Sequence, residues 1–116
     1  MASPMPIFLL PHSCTHLYGE KTSDEWGNET YSNSQELTRV RFEPSSKLVK
    51  TRDNQEVQLS MLCFFDCVNS TPQGWRFHLA ESVGDGIVWD GMPFEIATID
   101  AIYTAQTLHH YELGLI

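Results

Sequence analysis

The chain is predicted to be an all-β domain, a small β-barrel or sandwich with a long loop projecting between two of its strands and an extended N-terminal arm. Three observations predict it. From Val57 to Cys67 every odd position is apolar, the period of two that marks a strand with one face on a core. Turn-forming clusters recur between short apolar runs, as at "NSTPQGW" and "WDGM". No amphipathic helical pattern of ten or more residues interrupts them. Short strands separated by turns fold as sandwiches or barrels, and full closure also removes exposed strand edges.

Taken in order, residues 1–12 carry three prolines in the first eleven positions, which disfavours a regular helix and predicts an extended arm. Residues 13–20, "SCTHLYGE", read as a first strand. Residues 21–35 are polar and turn-rich and read as a loop or loose hairpin around Trp26-Gly27-Asn28. In "ELTRVRFE", residues 36–43, Val40 and Phe42 share one face and Arg39 and Arg41 the other. Pro44-Ser45-Ser46 interrupts, residues 44–56 form the projecting loop, and Val57–Cys67 is the clearest strand. Asp90-Gly91 suits a two-residue type I′ turn between Ile87–Trp89 and Met92–Ile96. In the C-terminal "LHHYELGLI", His109, Tyr111, Leu113 and Leu115 fall on one side of a strand that runs to the end.

At 116 residues the sequence reads as a single domain over 1–116, large enough for one core but not for a core with a deep enclosed site. Seven Lys and Arg stand against fifteen Asp and Glu, for a formal charge of −8. That balance argues against a general nucleic-acid binder and against an anionic membrane surface. No apolar stretch reaches the ~18 residues of a membrane helix, and Ile7–Leu10, closed by Pro11, is too short for an export signal. An odd set of cysteines, Cys14, Cys63 and Cys67, fits a reducing compartment.

Motifs of catalysis are not apparent. Cys63 and Cys67 on one strand would lie about 13 Å apart, beyond the ~7 Å reach of a disulfide, and read as core thiols. His109-His110 beside Glu112 invites a metal reading. Neighbours on a strand point to opposite faces, however, and zinc needs three or four ligands, so we expect no metal and no cofactor. Asp85, Asp90, Glu95 and Asp100 read as a solvated acidic face. Trp26 and Trp75 lie in polar loops, where an aromatic is either locally packed or a contact residue; Trp89 is expected to pack in its hairpin.

The unusual feature is the distribution of positive charge. Arg39, Arg41, Lys47, Lys50 and Arg52, five of the seven basic residues, fall between positions 39 and 52. A basic projection on an acidic body suits a negative partner, either another subunit's carboxylates or DNA phosphates; a merely solvated loop is the plain alternative.

The stretches "LLPHSCTHLY", "EPSSKLV", "EVQLS", "FFDCVNS", "WDGMPFEIATID" and the terminal "LHHYELGLI" together resemble the small minor capsid proteins of bacteriophages that infect Gram-positive bacteria, in order and over nearly the whole chain. The resemblance implies a non-enzymatic virion protein of the head–tail neck, assembled in the host cytoplasm. It implies a head-completion, or stopper, ring beneath the portal and adaptor that retains DNA and receives the tail. The implied partners are copies of itself in a ring, portal or adaptor proteins, tail-completion or tail proteins and packaged double-stranded DNA, with no membrane. Lys47, Leu48, Val49, Lys50 and Arg52 would then form the channel or partner-contact loop. Phe8, Leu9, Trp26 and Trp75 are candidate subunit contacts, although Phe8 and Leu9 could instead cover the barrel's own end. Within the same machine a tail-terminator or adaptor role is the alternative; outside it, a small barrel that binds single-stranded nucleic acid.

Overall fold

The described residues form eight strands: β1 (His12–Ser23), β2 (Glu29–Pro44), β3 (Leu48–Lys50), β4 (Glu56–Gln58), β5 (Met61–Asp66), β6 (Gly86–Trp89), β7 (Met92–Thr104) and β8 (Thr107–Leu115). The structure, a computed structural model, describes residues 6–51, 53–79 and 81–116. Six strands close into an antiparallel barrel in the order β1-β2-β5-β8-β7-β6, and β6 returns to β1 through Thr15–Val88, His16–Ile87 and Leu17–Gly86. Within the barrel every strand therefore has a partner on both sides, which covers the edges that invite uncontrolled pairing, while the outer parts of β1 and β2 pair only with each other. β3 and β4 form a separate two-stranded hairpin.

The core is built by the period of two. Cys63 and Phe65 of β5, and Tyr111, Leu113 and Leu115 of β8, are buried and meet Cys14, Leu37, Val40, Phe42, Phe77, Ile87 and Ile96 inside the barrel. Leu37 and Val40 both face inward although three residues apart. The register steps from His12–Val40 to Ser13–Thr38, so Arg39 is an extra residue, left with φ +55° and exposed. Such a bulge shifts the phase of the alternation by one residue. The long β5–β6 connection is fastened at this point. Thr38 and Thr71 exchange backbone hydrogen bonds, and the Ser70 hydroxyl donates to the Arg39 carbonyl.

Several sequence expectations hold. Asp90 and Gly91 both have positive φ, +52° and +75°, between paired Trp89 and Met92, as a type I′ turn requires. β8 runs to Leu115 with Tyr111, Leu113 and Leu115 buried. Trp89 stacks on Phe42 with centroids 4.4 Å apart.

Others are corrected. Of the two readings of residues 21–35, the loop is excluded and the hairpin around Trp26-Gly27-Asn28 holds, with β1 and β2 paired out to Ser23 and Glu29. Polar sequence hid this ribbon because its outer part has no apolar face to bury. The arm is not wholly extended, since Ile7–Leu9 form one 3-10 turn, short enough to fit between Pro6 and Pro11. The arm's first five residues lie outside the described residues.

The strand expected over Val57–Cys67 is broken at Leu59–Ser60 into β4 and β5. The cause is visible in the ladder. The Ser45 amide donates to the Ser60 carbonyl and the Leu59 amide to the Lys47 carbonyl, so Ser46 has no opposite residue and the ribbon bends there. Leu59 is buried against Gly114, where an added Cβ would lie 3.0 and 3.1 Å from its methyls and 2.3 Å from Thr98 Oγ1. Gly114 alternates with inward-facing Leu113 and Leu115, so Leu59 is seated on the outside of the barrel. The Ser60 amide, donating to the Leu115 carbonyl, fixes the same base.

Candidate functional site

Two kinds of polar feature stand out: a closed cluster inside the fold and charged hairpins outside it. The cluster centres on His16, which is 2% exposed. Trp75 Nε1 donates to His16 Nδ1 at 3.2 Å. An indole N–H can only donate, so Nδ1 is unprotonated and Nε2 carries the hydrogen, which it gives to Asp85 Oδ2 at 2.9 Å. Tyr18 and Phe77 lie against the ring with centroids 5.0 and 4.9 Å away. Burial lowers the pKa of His16, against the upward pull of the Asp85 bond, and burial raises that of Asp85. A His–Asp pair supplies two of the three members of a hydrolytic triad. Here the ring nitrogen that a nucleophile would need is taken by Trp75, so the geometry makes a clamp. It ties the β5–β6 connection, carrying Trp75, Phe77 and Asp85, onto β1. Asp85 is thus not part of a solvated acidic face, as its sequence neighbourhood suggests.

His109 and His110 also depart from expectation. Their Nδ1 atoms approach to 2.7 Å with rings at 81°, although alternation alone would send them apart. The register of β7 and β8 shifts between Ile102 and Tyr103, beside them, so the regular alternation does not hold at this point. His110 Nε2 is 3.8 Å from Glu112 Oε2, and burial lowers the His110 pKa. Among the described residues no group of three His, Cys, Asp or Glu is arranged to hold a metal ion. Cys14, Cys63 and Cys67 are free thiols.

The sequence-derived contact residues are spread over four places. Lys47 leads into β3; Leu48, Val49 and Lys50 form it. Leu48 is 59% exposed and Val49 half-buried. Arg52 lies outside the described residues. The β3–β4 register sets Val49 opposite Val57 and Lys50 opposite Glu56. Lys50 and Thr51 share a 230 Å³ cleft with Leu79, Val83 and Ala97–Asp100, so the hairpin leans along the outer face of β7. Phe8 (81% exposed) and Leu9 sit on the 3-10 turn, and the Leu9 carbonyl accepts a bond from Arg41 Nη1. Trp75 is half-buried and committed to His16.

Trp26 is 78% exposed at the tip of the β1–β2 ribbon, and the tip is built to hold it. Asp24 Oδ1 accepts the amides of Trp26 and Asn28 at 2.9 and 2.8 Å, and Oδ2 accepts Asn28 Nδ2 at 3.0 Å. These bonds, the Asn28 amide first, lower the Asp24 pKa. Below the tip the ribbon bends at Gly19, where φ is +91° and a Cβ would lie 2.2 Å from Ser32 Oγ. Four carboxylates, Glu20, Asp24, Glu25 and Glu29, stand here against Lys21. The sequence reading of a loop or loose hairpin here did not single out its acidic tip; the turn-forming "SDEWGN" was the available signal.

The sequence profile of a family described as minor capsid protein matches residues 6–115. No curated protein matches. Among solved structures, the phage-like element PBSX protein xkdH from Bacillus subtilis is similar, at 14% identity and a TM-score of 0.41 over 90% of this chain and 91% of that one. With residues 6 to 115 matched, nearly all of the described barrel and both of its charged hairpins, the chain belongs to the minor capsid protein family.

Proposed function

We propose that this minor capsid protein is the head-completion, or stopper, component of a phage neck. Copies of it form a ring beneath the portal and adaptor, retain the packaged DNA and present the surface on which the tail docks. The observation that carries the reading is a closed barrel with a separate hairpin, β3–β4, inserted between two neighbouring strands. Closure covers the strand edges within the barrel, which leaves side chains and the projecting hairpins as the natural route of assembly. The β3–β4 hairpin contributes little to the core and supplies Lys47 and Lys50 at the surface, where a neighbour's carboxylates or packaged DNA can meet them. The role is structural rather than catalytic, in keeping with the clamped His16. Adaptor and tail-terminator roles are less favoured, since their expected helices are absent among the described residues.

Electron microscopy of particles made without this gene, with DNA content scored, tests the proposal. Tailless heads that have lost their genome beside normal free tails are the expected result. Filled, stable heads or malformed tails would move the protein elsewhere in the virion.

A further inference from the structure

We propose that neighbouring copies join through two different hairpins: the acidic β1–β2 tip around Trp26 on one copy and the basic β3–β4 hairpin around Leu48 on the next. The inference rests on the reading of this chain as a ring component and identifies the contact that would build the ring.

Charge points to it first. The β3–β4 hairpin and its base, residues 47–58, hold three bases, Lys47, Lys50 and Arg52, against two acids, while residues 20–29 hold four acids and one base, Lys21. Asp53 and Glu56 moderate the first patch without reversing it. Within one copy these charges do not cancel each other. Lys21 pairs with Glu29 and Glu95, and Arg41 with Glu43. Lys47, Lys50, Glu20 and Glu25 form no ion pair among the described residues.

Apolar exposure coincides with the charge. Trp26 and Leu48 are both exposed large apolar residues, one within each charged patch. Exposed aromatic residues are favoured anchors of interaction hot spots, and complementary charge around them steers encounter and fixes register. Preorganisation completes the case on the acidic side. Asp24 holds the turn through three hydrogen bonds, so little ordering is left to oppose binding. Two different patches on one chain make a head-to-tail contact, which closes into a ring when its rotation allows. DNA phosphates are the competing ligand for Lys47 and Lys50, and they would leave the acidic tip without a role.

Charge reversal separates the two. Particles are produced with wild-type chain, with Lys47→Glu and Lys50→Glu together, with Glu20→Lys and Glu25→Lys together, and with all four changes. Copies of the protein per particle are counted by quantitative mass spectrometry. Each pair alone should lower the count by about tenfold, equal to ~1.4 kcal/mol of contact, and the fourfold variant should recover to within about twofold of wild type. Wild-type counts in either pair would overturn the proposal. So would a fourfold variant as poor as the Lys47/Lys50 pair, the result that DNA or another acidic partner would give. All four side chains are exposed, and unchanged thermal unfolding of the purified variants verifies the fold. Copy number is read wherever on the particle the protein sits, so this contact and the neck assignment fail separately.

Discussion

His16 shows what one side chain does for this fold. It bridges β1 to a connection whose anchors, Trp75 and Asp85, lie 59 and 69 residues away. Nothing in the sequence around His16 announces these partners. Periodicity reports which face a residue takes, not what a long loop brings to it. The clamp holds a neutral imidazole, which gives stability a pH dependence. With its folded pKa lowered by burial, His16 binds a proton more readily in the unfolded chain. Its contribution is therefore present above about pH 6.5 and lost as pH falls from there toward the folded value. His12 and His110, also lowered mainly by burial, act in the same direction. The raised pKa of Asp85 works the opposite way, from near 3.8 up to its folded value. Urea unfolding should therefore show a midpoint that drops between about pH 7.5 and 5.5. His16→Gln retains one donor and one acceptor and should flatten that drop while costing about 1–3 kcal/mol at neutral pH. A variant with the wild-type pH slope would show that His16 is not the group responsible.

At the level of elements, strands that bury one face were legible and strands that bury none were not. β5 and β8 declared themselves through alternating apolar residues, and the β6–β7 turn through Asp90-Gly91. The outer β1–β2 ribbon, polar on both faces, read only as a loop or a loose hairpin. The break between β4 and β5 was hidden for another reason. Leu59 keeps the apolar alternation although it packs outside the barrel, because Gly114 leaves a seat for it there. Gly114→Ala would place a methyl against Thr98 and Leu59, and overpacking of this kind costs about 1–3 kcal/mol. The Leu59 and Ser60 amides, which hold the hairpin base, should then exchange hydrogen faster than those of β8. Wild-type stability and protection in Gly114→Ala would mean that the hairpin base does not depend on this contact.

For the whole molecule, the distinction between barrel and appendage is the consequential one. The barrel closes through six strands, and its buried residues come from these and from the connections that cover them. Between Leu48 and Gln58 no described residue is fully buried, so this hairpin can be removed without opening the core. Replacing Leu48–Gln58 with a short glycine-containing turn that joins Lys47 to Leu59 keeps the bonds at the base and shortens a loop. Loop-length changes of this size alter closure free energy by only about 1 kcal/mol. The shortened chain should unfold in one cooperative transition near the wild-type midpoint. If the protein closes the head as proposed, heads assembled with the shortened chain should lose DNA. Failure to fold would make the hairpin part of the domain, and sealed heads would place head closure on another surface. A folded barrel in leaking heads would assign closure to a hairpin that the fold itself does not need.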